Sequence, residues 1–529
     1  MKRLSLAVVV MFVSLAALCQ EKTIFVMSDI HVMAPELLVN DGEAFQKYIA
    51  SDPKLLRESS EVLNALVDTI RKYQPDLVLI PGDLTKDGEL VSHRLVAETL
   101  GTIRDDGIPV LLVPGNHDID NPEGVYYDGS TTRYAERTSP AAFAELFKDF
   151  GYGDDAVRDE NSLSWVAEPF DGLVIIGIDT NWYEKNKYKE KGDPVDDNTT
   201  SGGIKDSTLE WVLDYADRAV AEGKQVIAMC HHNVVEHFDG QSVLAAPYVV
   251  ENWETVSQKF IKHGISIVFT GHQHMQDVAK YYSTDAMTDS LIDVTTGASV
   301  SYPNPWRLIK VNEDFSKWDM TTGYVKSIGS LPDVQATCRQ TLSENITGGL
   351  KWHIRAYWPT IQEKIEENSD LIEKWKVDVP KTPEELTDLA MTYFGDLLTE
   401  LVIINDAGNE PDDPRSEKIF PEIKERLLKL VKDKVGTAPT VVYNTLCGYL
   451  DDNVFVWLNS VLTDTNAWGT PRASVTDDLT GRSRGRGGNS GGDGDGRYYD
   501  LNGRFVGTSL RDLGYGIYVT KGKKLLKVK

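Results

Sequence analysis

Asn116, His117 and Asp118 place an amide, an imidazole and a carboxylate side by side. They follow Pro114-Gly115, a strong turn signal, at the end of an apolar run, Ile108–Val113, that reads as a short buried strand. Polar groups just past a buried strand stand where α/β sheets build their sites, in the crevice at the strands' carboxyl ends. The arrangement recurs four times in the 529 residues. Thr23–Met27 runs into Ser28-Asp29-Ile30-His31. In an extended chain, side chains at i and i+2 share a face, so Asp29 and His31 can reach one ion together. Leu77–Ile80 runs into Pro81-Gly82-Asp83, Gln225–Cys230 into His231-His232, and Ile265–Thr270 into Gly271-His272-Gln273-His274. Each block alone has a bland reading as a solvated loop. Five in one chain, each closing a β-rich run, do not reduce to it.

The elements that must position these blocks alternate in type. Between the first two blocks, Leu63, Leu66, Val67 and Ile70 fall at helical spacing within residues 54–73, and a second helical stretch covers about 89–105. The order is therefore β-α-β-α-β, a sheet covered by helices. Residues 121–160 are rich in Gly, Asp and Tyr and form a predicted loop over the site, with a helix near 140–149. Leu173–Asp179 is a further strand. Ser207 with Glu210 predicts a capping box opening a helix whose face carries Leu209, Val212, Leu213 and Ala216. Another helix is expected at 253–263. Residues 276–325 alternate apolar and polar and predict several strands forming a second sheet. Beyond about 330 the strand-turn-ligand pattern stops. Thr382-Pro383-Glu384-Glu385 combines a capping box with Pro at the first helical position, and Ile423, Leu427 and Leu430 mark another helix. Residues 331–465 thus read as a helical accessory domain, either a packing domain or a lid or docking surface. Gly481–Gly496 is a flexible linker in composition, and 497–529 a short β-type tail.

In order and spacing, Asp29-x-His31, Gly82-Asp83, Gly115-Asn116-His117-Asp118, His231 and Gly271-His272-x-His274 resemble the calcineurin-like metallophosphoesterase superfamily. The resemblance covers roughly residues 22–325. It implies an α/β fold, a four-layer αββα sandwich over 22–328, and a metal-dependent phosphoesterase. Carried over residue by residue, Asp29, His31 and His274 would hold one ion and Asn116, His231 and His272 another, with Asp83 bridging. A water or hydroxide between the two ions would be the nucleophile, and His117 would stabilise charge or protonate the leaving oxygen. Asp118 would orient His117 or cap a turn. His232 would be a support or substrate contact, while His93, His237 and His263 fit no block and read as surface or packing residues. The chemistry agrees: carboxylate, imidazole and amide donors suit Mn, Fe or Zn, and the lack of thiolates argues against a structural zinc cage. In purple acid phosphatases a ligating Tyr follows the Gly-Asp block; here that place is Lys86. The departure directs the expectation toward phosphodiesters rather than monoesters, with a nucleotidase or a non-catalytic scaffold as alternatives.

Composition sets the outer bounds. The net charge is −26, so binding a nucleic-acid polymer by phosphate neutralisation is not expected. A small-molecule or lipid-headgroup phosphate ester is the expected substrate class. Lys2 and Arg3 followed by apolar Leu4–Leu18 have the shape of a signal peptide ending near residue 19, which predicts an exported chain: periplasmic, cell-surface or secreted. Cys19 is a candidate for lipidation. Three further cysteines, Cys230, Cys338 and Cys447, are too few for a disulfide framework; Cys230 reads as a buried thiol and a Cys338–Cys447 bond stays open. No later segment is apolar enough to cross a membrane. Residues 481–529 hold 11 basic and 4 acidic residues, and the tail resembles the sorting segment of type IX secretion substrates, with a plain accessory hairpin as the other reading.

Overall fold

The computed structural model describes residues 21–435, apart from short breaks at 51, 155, 239, 284–288, 368, 376 and 407–413, together with strands at 475–477, 498–499, 505–507, 516–520 and 523–527. The signal-peptide reading of 1–19, Cys19, Cys447 and the linker 481–496 lie outside the described residues. The strands in chain order are β1 (Lys22–Val26), β2 (Leu38–Asn40), β3 (Leu77–Pro81), β4 (Val110–Val113), β5 (Val125–Asp128) and β6 (Thr131–Tyr134). Then come β7 (Val157–Arg158), β8 (Trp165–Phe170), β9 (Leu173–Ile178), β10 (Gln225–Cys230) and β11 (Ile265–Thr270). The last are β12 (Asp277–Tyr282), β13 (Ser290–Thr295), β14 (Pro305–Val311), β15 (Trp318–Tyr324) and β16 (Val475–Asp477).

Two sheets make the core. One has six strands in the order β16-β15-β14-β1-β3-β4, the other seven in the order β12-β13-β11-β10-β9-β8-β7. The strands that carry the blocks run parallel within each sheet: Ile24 pairs with Leu77, Val78 with Val110, and Ala228 with Val268. Parallel strands buried on both faces read as continuous apolar runs, which is how the sequence shows them. The period of two divides the faces. On β9 and β10, Leu173, Ile175, Ile227 and Met229 point between the sheets into the larger cluster. Val174, Ile176, Val226, Ala228 and Cys230 point outward against helices Asp206–Ala221 and Trp253–Lys262. Helix Ser59–Tyr73 covers the six-stranded sheet with Val62, Leu63, Leu66 and Ile70; helix Leu90–Asp105 lies beside it, with Val96, Leu100 and Ile103 in the same core. The layers are helix, sheet, sheet, helix, as expected from the resemblance.

Two local expectations are corrected. Residues 276–325 do form strands, but not a sheet of their own. β12 and β13 extend the seven-stranded sheet, and β14 and β15 extend the six-stranded one, with β14 antiparallel to β1. The Ser207–Glu210 capping box is absent: the helix begins at Asp206 after an extended Lys205, with no side-chain cap, and Asp206 supplies the acidic first-turn residue instead. At Thr382 half of the box forms: Thr382 Oγ1 accepts from Glu385 N at 3.1 Å, while Glu385 Oε2 accepts from Lys381 N at 2.7 Å, one residue before the cap.

Beyond the sheets the described chain is helical: Val334–Glu367, Ser369–Trp375, Pro383–Asp406 and Pro414–Val435. Val334 and Cys338 enter the large core, and Cys338 is a free, buried thiol. No helix among the described residues is long and apolar enough to cross a membrane. The unit beginning at Ser483 has its own four-stranded sheet, which includes a hairpin pairing Gly516–Thr520 with Lys523–Lys527.

Candidate metal centre

Because the block-bearing strands are parallel within each sheet, their carboxyl ends deliver the five blocks to one place. The loops then stack closely enough to exclude a Cβ. A side chain at Gly115 would strike the Asp83 carboxylate, and one at Gly271 would strike Ser28 Oγ and Asp29 Oδ2. Asp29, His31, Asp83, His272 and His274 all adopt positive φ, at 49°, 37°, 49°, 67° and 58°. Left-handed backbone at a non-glycine residue costs on the order of 1–3 kcal/mol, and such strain collects at functional sites.

Hydrogen bonds fix the heads. Asp29 accepts from His272 N at 3.1 Å on both oxygens and from Ser28 Oγ at 2.6 Å. Asp83 Oδ1 accepts from His117 N at 3.0 Å, and its Oδ2 lies 3.6 Å from His31 Nε2 and 3.3 Å from His231 Nε2. His231 Nδ1 donates to the Pro81 carbonyl at 2.9 Å, which leaves Nε2 as a lone-pair donor, 3.1 Å from Asn116 Oδ1. His31 Nε2 faces His274 Nε2 at 3.2 Å, and His274 Nε2 is 3.4 Å from Asp29 Oδ1. His272 Nε2 meets the Pro247 carbonyl at 3.2 Å, and Tyr248 packs on its ring. Potential ligand atoms within 4.8 Å of one another form three overlapping groups: Asp29, His31 and His274; His31, Asp83 and His117; Asp83, His231 and His272. All seven expected ligands and His117 therefore meet in one hollow. This donor set fits two neighbouring cations: imidazole lone pairs face one another and buried carboxylates, with Asp83 common to two groups and no thiolate among them.

Electrostatics agrees. Burial, then the Lys54 charge, holds His31 well below the ordinary imidazole range; burial, then His232, does the same for His272, so both are neutral donors. Burial opposes charge on Asp83, but His231 and His117 outweigh it and hold its carboxyl well below the usual range. In the metal-free chain burial also opposes charge on His117, yet Asp83 and Asp87 lift it to about 9.

The remaining polar residues have defined places. Asp118 does not touch the His117 ring. It caps the loop, accepting from Leu84 N, Thr85 N, Gly115 N and Thr85 Oγ1 at 2.8–3.0 Å. His117 is oriented instead by Asp87, with Nδ1 3.1 Å from Asp87 Oδ1 and 2.7 Å from the Lys86 carbonyl oxygen. Asp87 escaped notice because only the first carboxylate of Gly-Asp-x-x-x-Asp-Gly closes a strand. Lys86 is fully buried, ion-paired with Asp87 and Glu89, and 4.4 Å from the Tyr48 ring centroid. His232 is a support: its Nδ1 meets Thr180 Oγ1 at 2.8 Å and its Nε2 the Thr200 carbonyl at 2.9 Å. His93 and His237 are buried polar anchors rather than surface residues, on Asp118 and Thr138, and on Asp277 and Asp293. His263 is partly exposed, beside Asp217.

Known proteins place the chain. A probable glycerophosphodiester phosphodiesterase of Arcobacter nitrofigilis is 26% identical over 205 residues, 37% of this chain; the match spans 59% of that protein's length. Among solved structures, a dimetal phosphatase from Danio rerio aligns at 14% identity and TM-score 0.38, covering 57% of this chain and 95% of that one. A purple acid phosphatase from yellow lupin seeds aligns at 12% and 0.35, covering 58% and 52%. The family model for calcineurin-like phosphoesterases matches residues 22–276, just under half of the chain, and that region, which holds all eight site residues, is what the chain shares with the family.

Proposed function

We propose that this protein is a binuclear-metal phosphoesterase acting on phosphodiesters. The observation that carries the reading is the convergence of six donor side chains on Asp83, with His117 at the edge of the same hollow. Asp29, His31 and His274 would hold one cation, Asn116, His231 and His272 the other, and Asp83 would serve both. Mn, Fe or Zn bound there would activate water and clamp the oxygens of an in-line displacement at phosphorus. The chain's own residues do the rest. Asp87 and the Lys86 carbonyl hold His117 Nδ1, so Nε2 is the nitrogen left to donate to the departing oxygen. Thr180 and His232 hold the wall behind His231 and His272. The preference for diesters is supported by Lys86 where a ligating Tyr would mark the purple phosphatases, and by the likeness to the probable glycerophosphodiester phosphodiesterase of Arcobacter nitrofigilis.

The test is hydrolysis of bis(p-nitrophenyl) phosphate with Mn, against a chelated control and against Asp83→Asn. The reading expects metal-dependent turnover at least tenfold faster than on p-nitrophenyl phosphate, and loss of both metal and turnover in the variant. Equal or faster monoester hydrolysis would make the site a phosphomonoesterase. Folded, metal-loaded protein with no turnover on either ester would remove the enzymatic reading altogether.

A further inference from the structure

Lys54 belongs to none of the five blocks, yet the fold ties its segment to the loop that carries Asp29 and His31. The segment that carries it, between helices Glu43–Ile49 and Ser59–Tyr73, is tied down from three sides. Leu55 N donates to the Val300 carbonyl at 2.9 Å, and Val300 lies in the loop where Ser299 N donates to the Ser28 carbonyl, one residue before Asp29. Met33 N, two residues past His31, donates to Ser59 Oγ at 2.9 Å. Asn345, from helix Val334–Glu367, donates to the Ile49 and Asp52 carbonyls at 2.9 and 2.8 Å. Between these ties the Lys54 side chain is only 11% exposed.

A lysine so placed has to account for its charge. The ammonium carries three N–H donors, and taking it out of water without acceptors is costly. Among the described residues its ion partner is Asp52, at 3.2 Å. Burial works against the cation, but Asp52, then Asp87 and Asp83, outweigh it and raise its pKa, so it stays charged at every working pH. Its field acts in turn on His31, His117 and Tyr248, groups from three sides of the hollow. The nearby carboxylates are taken up elsewhere: Asp29 and Asp83 belong to the candidate ligand groups, and Asp87 is paired with Lys86. The ammonium has three donors, and those that Asp52 does not engage can meet an anion.

We propose that Lys54 is a specificity-determining residue that binds a second anionic oxygen of the substrate, beyond the single negative charge of a phosphodiester. The proposal rests on the phosphoesterase reading above. Asp52 holds the ammonium until the ligand arrives, and the donors not engaged by Asp52 take the anion. A dianionic phosphate group, or a diester whose alcohol carries its own anion near the scissile phosphorus, supplies that chemistry equally.

Calorimetry on the Mn-loaded full chain tests it with inorganic phosphate as the dianionic probe and dimethyl phosphate as the monoanionic one. Lys54→Met should weaken phosphate at least tenfold and dimethyl phosphate less than threefold, with bound Mn unchanged by elemental analysis. Lys54→Arg should recover most of the loss, which shows that the charge rather than the fold was removed. Equal weakening of both probes, or phosphate affinity within twofold of wild type, overturns the assignment. Hydrolysis of bis(p-nitrophenyl) phosphate by the wild type separates the two claims. If it turns over normally while Lys54→Met binds phosphate unchanged, only the Lys54 assignment falls. If it does not turn over but Lys54→Met still loses phosphate selectively, the anion site stands and the catalytic reading falls. With p-nitrophenyl phosphate and an anion-bearing diester as substrates, the ester whose KM rises in Lys54→Met identifies the source of the second charge.

Discussion

At the scale of single residues, the buried His237 shows how polar groups away from the chemistry secure it. Its Nδ1 lies 2.6 Å from Asp277 Oδ2 and its Nε2 3.4 Å from Asp293 Oδ1. Asp293 in turn accepts from Val234 N and Val235 N and from Thr270 Oγ1, so the trio staples the loop after His231-His232 to the end of β11. Burial opposes charge on His237, but Asp293 and Asp277 outweigh it and raise the imidazole to about 10. Its folded pKa therefore exceeds the unfolded value of about 6.5. The stabilisation it contributes is complete below pH 6.5 and is lost as pH rises toward 10. His237→Gln removes the cation that two buried carboxylates share and should cost about 3 kcal/mol near pH 6. Thermal melts of wild type and variant should therefore stand well apart at pH 6 and converge by pH 10. A gap that stays constant with pH would mean the imidazole is uncharged. The sequence displayed His237 without its partners, because Asp277 and Asp293 sit on strands whose neighbours are set by tertiary pairing.

At the scale of elements, the legible part of the molecule was the part governed by local rules. Strands buried on both faces read as apolar runs, turns as Pro-Gly or Gly, and the blocks at their ends stood out because Asp, His and Asn interrupt those runs. Sheet membership was not legible: the alternation in residues 276–325 predicts strands without saying which edge each one joins. That missing information matters, because the candidate ligands are divided between the sheets. Asp29, His31, Asp83 and Asn116 follow strands of one, and His231, His272 and His274 follow strands of the other. Arg307 on β14 crosses this boundary. Its guanidinium donates to the Asp277 and Thr295 carbonyls of the opposite sheet at 3.0 and 2.6 Å and to Thr296 Oγ1 at 3.3 Å, from a position 1% exposed. Arg307→Met leaves these buried acceptors unmet and should destabilise the chain by about 2–3 kcal/mol. Because the sheets would then register less firmly, Mn affinity should fall as well. Lysine cannot reproduce the fork and should rescue little. A variant with lowered Tm but wild-type Mn affinity would show that the sheets hold the site without this bridge.

At the scale of the whole molecule, the helical region is tied to the rim of the metal centre at two places. Asn345 holds the carbonyls of Ile49 and Asp52 on one side, and the Asp406 carbonyl accepts from Gln276 N, two residues past His274, on the other. The sequence showed these helices through their caps and spacing, but not which surface they met, because a single Asn in a long helix carries no sign of a partner about 290 residues away. A region that only packed against the core would leave the 49–56 segment equally protected whether or not Asn345 could donate. A region that builds the rim would not. Asn345→Ala removes two hydrogen bonds to partly buried carbonyls, worth about 2 kcal/mol together, so local opening should become roughly tenfold to thirtyfold more frequent. Hydrogen exchange at Leu55 and Leu56 should accelerate by that factor, while β1, β3 and β10 keep their protection and Mn content is unchanged. If exchange at Leu55 is unaffected, the helices pack without shaping the rim, and the position of Lys54 is set by β1 and the 296–304 loop alone.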